Sequence, residues 1–137
     1  MHALLQDKKR LVLEHQAMLE RWPRARWCRN AAGTDFWWEF TIKGEAGDMR
    51  IKVEYPSNYP AAPPTIQVLD SLPSGVPHLL GGQHLCWIYP GEKRRSTNMW
   101  KPSQDTAATA IAAACRWYYA FVVWLALGEW PVPDALD

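Results

Sequence analysis

The chain has 137 residues, of which 48% are hydrophobic and 21% charged. That length predicts one domain, 1–137, able to build a core without disulfide or metal staples, and the composition excludes a disordered chain. Fifteen Lys and Arg against fourteen Asp and Glu leave a net charge of +1, which excludes the broad positive field of a nucleic-acid-binding or acidic-membrane-binding surface.

Residues 3–22 predict an amphipathic helix. Leu4, Leu11 and Met18 recur every seven residues, as do Leu5, Val12 and Leu19, and together they form one stripe. Lys8, Lys9 and Arg10 are expected on a solvated face, and Pro23 ends the helix. Those charges, with Asp7, also interrupt any apolar leader core near the N-terminus.

The period then changes to two. A short strand is predicted at 25–30. In the next strand Phe36, Trp38, Phe40 and Ile42 alternate with Trp37, Glu39 and Thr41. In the one after it Met49, Ile51, Val53 and Tyr55 alternate with Arg50, Lys52 and Glu54. Such runs predict half-buried strands joined across Gly44–Gly47, with a further strand at Thr65–Leu69. Between these last two lies "YPSNYPAAPPTI", where Pro56, Pro60, Pro63 and Pro64 remove backbone donors. That segment is expected to be a stiff connection packed by Tyr55 and Tyr59.

"HLLGGQHLCWIY", residues 78–89, reads as irregular, broken by Gly81 and Gly82. A polar loop with Lys93, Arg94 and Arg95 follows, then Trp100-Lys101-Pro102. Ser103 to Thr106 supply an N-cap for a last helix at about 106–127, with Asp105 read as a capping residue and Gly128 as the stop. Arg116 interrupts the apolar run of this helix, and Trp117–Leu127 alone is too short to span a bilayer. The predicted class is α+β: an N-terminal helix, a four-stranded antiparallel meander, an irregular cysteine segment and a C-terminal helix.

Three cysteines, Cys28, Cys86 and Cys115, are too few and too widely spaced for a disulfide framework, so a reducing, cytoplasmic setting is expected. Free cysteine is mostly a small buried hydrophobe, and Cys28 and Cys115 read that way. Cys86 differs, because the glycines leave amide groups accessible and His78 and His84 lie close in sequence. Donors near a thiol favour the thiolate, the nucleophilic form. A thiol hydrolase of the papain kind usually places its histidine after the cysteine. Here His2, His15, His78 and His84 all precede Cys86, although local pairing with His84 stays open. Zinc could take His78, His84 and Cys86, but no Cys-x-x-Cys pair supports it. No metal or cofactor is expected.

The ordered set "YPSNYPAAPPTI", "PHLLGGQHLCW" and "WKP" resembles the ubiquitin-conjugating enzyme fold over roughly residues 3–127. In that family a His-Pro-Asn flap precedes the active cysteine, the Asn by eight residues, and a Trp-x-Pro follows. Here Val76-Pro77-His78 stands at the flap, His78 precedes Cys86 by eight, and Trp100 and Pro102 reproduce Trp-x-Pro. The "PH…LCW" variant is similar to bacterial relatives found in ubiquitin-like conjugation and antiphage operons.

The resemblance implies that Cys86 accepts a protein's C-terminal acyl group as a thioester and passes it to an amine. It makes His78 the residue at the oxyanion position, with a flap-pinning role the alternative. It gives supporting roles to His84, Trp100 and Pro102, with Trp87 pointing into the core. The implied partners are a ubiquitin-like modifier or the C-terminus of a cGAS-like nucleotidyltransferase, with an activating enzyme, and neither nucleic acid nor membrane. The family's Asn is absent, and its acidic helper for an incoming lysine has no clear counterpart. A catalytically inactive binding module of the same fold is the second implied reading.

Overall fold

The structure is a computed structural model describing residues 2–87 and 100–131. The loop with Lys93, Arg94 and Arg95 lies outside the described residues. The expected N-terminal helix is two helices, α1 (Ala3–Gln6) and α2 (Lys8–Arg21), broken at Asp7. Asp7 caps α2, accepting from the Arg10 amide at 3.0 Å, and a residue used that way cannot continue the helix before it.

Strands β1 (Arg26–Arg29), β2 (Phe36–Ile42), β3 (Met49–Glu54) and β4 (Thr65–Val68) form the expected antiparallel meander. Two short strands, β5 (Leu79–Leu80) and β6 (His84–Leu85), extend it into a sheet of order β1-β2-β3-β4-β6-β5. The two-residue alternation sends Ile51, Val53, Ile66 and Val68 fully inward, while Arg50, Lys52, Glu54 and Gln67 occupy the wetter face.

The last helix, α3 (Ala107–Leu127), packs on β2, β3 and β4 and against α2. Thr106 caps it within a capping box shared with Thr109, and Gly128 closes it at φ +77°. Alanines at 107, 108, 110 and 114 let the helix lie close to its neighbours, while Ile111 fills the core. With Arg116 included, α3 is long and apolar enough to cross a bilayer, yet its N-terminal half is core. Asp105 is not the cap: its carboxylate accepts from the Lys101 amide at 2.8 Å.

One row of the seven-residue stripe, Leu4, Leu11 and Met18, faces the core as expected, but the other row does so only at Leu5. Arg10, Glu14 and Met18 are buried, whereas Val12 and Leu19 are 54% and 71% exposed. Arg10, expected in solvent, is held inside by Glu14 at 2.9 Å. One carboxylate oxygen of Glu14 accepts from the Tyr55 hydroxyl at 2.8 Å and the Ala107 amide at 2.9 Å. The other accepts from the Tyr59 hydroxyl at 2.5 Å and from Arg10 Nε. Arg10 also donates to the carbonyls of Pro102 and Asp105 and to the Tyr59 hydroxyl. Every polar atom here has a partner, which is what lets a charge sit in a core.

Burial, and then the Glu14 carboxylate, push the Tyr55 and Tyr59 hydroxyls well above an ordinary tyrosine. The folded chain therefore keeps protons that the unfolded chain releases above pH ~10. Their contribution is complete below that pH and is lost as pH rises beyond it. Denaturant unfolding between pH 8 and 11 should show stability falling by up to about 1.4 kcal/mol per pH unit for each tyrosine. Tyr59→Phe should make the fall shallower; an unchanged slope would refute the assignment.

Candidate active site

The segment expected to be irregular is a hairpin. Leu79 pairs with Leu85 and Leu80 with His84, around a 3-10 turn at Gly81–Gln83. Gly82 has φ +72°, a conformation that costs glycine little, so the glycines make the turn instead of breaking the structure. One step outward in the same register His78 stands opposite Cys86, and the Cys86 amide donates to the His78 carbonyl at 3.1 Å. The separation of eight seen in the sequence is thus the arithmetic of this hairpin.

Two flap residues other than glycine hold positive φ, His78 at +59° and Gln83 at +62°. Each costs about 1–2 kcal/mol, and such backbone persists where its surroundings enforce it. Gln83 is enforced by three hydrogen bonds. Its amide nitrogen donates to the carbonyls of Val68 and Asp70, and its oxygen accepts from the Leu72 amide. Gln67, on β4, donates to the Gly82 carbonyl at 3.0 Å. Sequence reasoning missed both glutamines. Their only sequence signal is position, one beside the glycine pair and one on the wet face of a strand.

The His78 ring lies against Trp130, centroids 5.0 Å apart. Trp130 was also missed, since it stands 44 residues after Cys86. His84 closes its ring onto the turn. Its Nδ1 lies 3.0 Å from the Gly81 carbonyl, which can only accept, so Nδ1 carries the proton.

Trp100 donates to the Pro60 carbonyl at 2.7 Å and packs on Tyr59 and Trp87. Trp87 is half-buried, donating to the Pro64 carbonyl at 3.2 Å. Through these two indoles the proline-rich segment 55–66 holds both Trp87, beside the cysteine, and Trp100. Pro102 contributes its carbonyl, which accepts from Arg10 at 2.5 Å.

All three cysteines are free and half-buried, so exposure alone does not single out Cys86. Cys28 departs from the expected core position: it lies near Glu39, with Sγ 3.6 Å from the Arg26 carbonyl. Burial pushes both the Cys28 and the Cys115 thiols up. What distinguishes Cys86 is its place at the mouth of a pinned hairpin. Among the described residues no group of three or more His, Cys, Asp or Glu could hold a metal. A concavity of about 460 Å³ on the sheet is lined by Arg24, Arg26, Glu39, Lys43 and Arg50, and by none of His78, His84, Cys86, Trp100 or Pro102. Three of its cations are already paired, with Glu39, Asp48 and Asp70.

The chain is similar in structure to a human ubiquitin-conjugating enzyme, E2 G1, with a TM-score of 0.57 and 17% identity, over 82% of this chain and 95% of that one. That likeness shows a ubiquitin-conjugating fold. No curated protein sequence matches the chain. The family described as Type II CBASS E2 protein matches residues 14–137. With the family model matching most of its length and the fold in agreement, the chain belongs to the Type II CBASS E2 family, E2-like conjugating proteins of a bacterial antiphage system.

Proposed function

We propose that this protein carries a protein's C-terminal acyl group as a thioester on Cys86 and passes it to an amine. The observation that carries the reading is the pairing of His78 with Cys86 across the hairpin, in a conjugating fold. In loading, the Cys86 thiolate forms a sulfur–carbon bond to the donor carbonyl, while the bond from that carbon to the activating enzyme's thiol sulfur breaks. In transfer, the amine nitrogen bonds to the same carbon, the carbon–sulfur bond breaks, and the amine's proton passes to solvent.

Both steps run through a tetrahedral oxyanion, which a fixed donor stabilises. His78 supplies that donor, and Trp100, His84 and Pro102 support the loops around it. The acyl donor is a bacterial ubiquitin-like modifier or the C-terminus of a cGAS-like nucleotidyltransferase, delivered by an activating enzyme. The family's antiphage setting supports this choice.

Mixing the protein with such a donor, its activating enzyme and ATP should give a thiol-sensitive adduct on a non-reducing gel. Loss of that adduct in Cys86→Ala is the expected result; an adduct that persists there and resists thiols overturns the reading. Iodoacetamide mapping by mass spectrometry at pH 8 should find Cys86 labelled before Cys28 and Cys115. Equal, slow labelling of all three would favour a binding module without chemistry.

A further inference from the structure

After Gly128 ends α3 in the left-handed conformation, the chain turns so that Trp130 reaches the cysteine flap. Its indole packs on the His78 imidazole at 5.0 Å and on Trp117 at 5.6 Å. Trp117 in turn stacks on Phe121 at 5.3 Å, with the rings 10° from parallel. The Trp117 indole nitrogen is buried without a hydrogen-bond partner among the described residues. An orphaned donor costs about 1–3 kcal/mol, so this ring is kept for its aromatic contacts. A rigid aromatic row therefore runs from the core helix to the one flap residue whose carbonyl receives the Cys86 amide. Gln83 holds its own positive φ by three hydrogen bonds, and at His78, with φ +59°, an indole packs on the side chain.

We propose that Trp130 is a positioning residue for Cys86: packed on the His78 ring, it holds the His78 backbone where its carbonyl fixes the cysteine strand. The inference rests on the thioester reading for its purpose, though not for its test. Trp130 touches no reacting atom, and it acts only through His78. The aromatic face is what matters, because a ring packs flat on an imidazole at little entropic cost. Removing it takes away one of the contacts that hold the His78 ring, and the amide bond to Cys86 opens more often.

Amide exchange of the full chain, followed by NMR without any acyl donor, reads this opening at Cys86. Trp130→Ala should speed Cys86 exchange about tenfold while amides in the central strands keep their protection. Trp130→Phe should restore most of the protection. His78→Gly supplies the control, because glycine adopts φ +59° without a ring. In that background Trp130→Ala should add nothing, as expected of two residues acting through one contact. Unchanged Cys86 exchange in Trp130→Ala, or the same acceleration with and without the His78 ring, would overturn the proposal. Should Trp130→Ala not fold, Trp130→Leu keeps part of the apolar bulk without an aromatic face and is read the same way. In the loading assay the variant should lower kcat with KM for the donor unchanged. Failure of the thioester reading would leave the exchange result standing, and normal exchange beside a working thioester would remove only the clamp.

Discussion

Glu14→Ala is expected to cost about 3–5 kcal/mol of folding stability, the largest loss foreseen for a single substitution in this chain. The carboxylate is fully buried and accepts from Arg10, Tyr55, Tyr59 and the first amide of α3. Alanine leaves the Arg10 guanidinium buried without its counter-charge and removes the acceptor for two hydroxyls and a helix N-terminus. For a domain of this size the melting temperature should fall by about 10–20 °C. A paired replacement, Arg10→Met with Glu14→Leu, separates causes. A simple buried ion pair can often be exchanged for apolar groups at little cost. Here Tyr55, Tyr59 and Ala107 would still lack their acceptor, so the double variant should remain at least about 2 kcal/mol below the parent. Denaturant unfolding decides, and full recovery would show that only the ion pair mattered. The loss should reach the candidate site too, because Tyr59 packs on Trp100 and Arg10 holds the Pro102 carbonyl.

Cys86→Ser should slow turnover by at least about a thousandfold and replace the thiol-labile adduct by one that survives reducing agent. A hydroxyl is a far weaker nucleophile near neutral pH than a partly ionised thiol, and the alkoxide leaves poorly once the ester has formed. The two effects multiply for turnover but oppose one another for the adduct, which forms slowly and then accumulates. Hydroxide at pH ~12 should release it, as expected of an oxyester. Undiminished turnover in the serine variant would move the acyl site to another residue.

The strands were legible because nothing competes with a two-residue alternation in which Phe36, Trp38 and Ile42 or Met49, Ile51 and Val53 face one side. The α3 boundaries were legible for a similar reason, with Thr106 and Gly128 marking the ends of an apolar run. The face of α2 was legible only at Leu11 and Met18. Its inward stripe is Arg10, Glu14 and Met18, spaced by four, and hydrophobic periodicity is blind to polar residues that are buried because partners far along the chain satisfy them. Asp105 was misread because an acid just before a helix suits a cap; Thr106, one residue on, already fills that role. At the candidate site the spacing of His78 and Cys86 was visible, and so was Trp100. The hairpin was hidden, since two-residue strands are too short to show a period. Gln67 and Trp130 were hidden as well, because their roles exist only after the chain has closed on itself.

A bend three residues long, Gly81 to Gln83, also fixes a parity. Neighbouring positions on a strand look to opposite sides, so one residue added to the bend would turn the sulfur toward the wrong surface, even with every side chain around it intact. The count of residues in that bend therefore constrains the placement of Cys86 as firmly as their identity does. Adding two residues would preserve the side while carrying the thiol beyond its backbone partner.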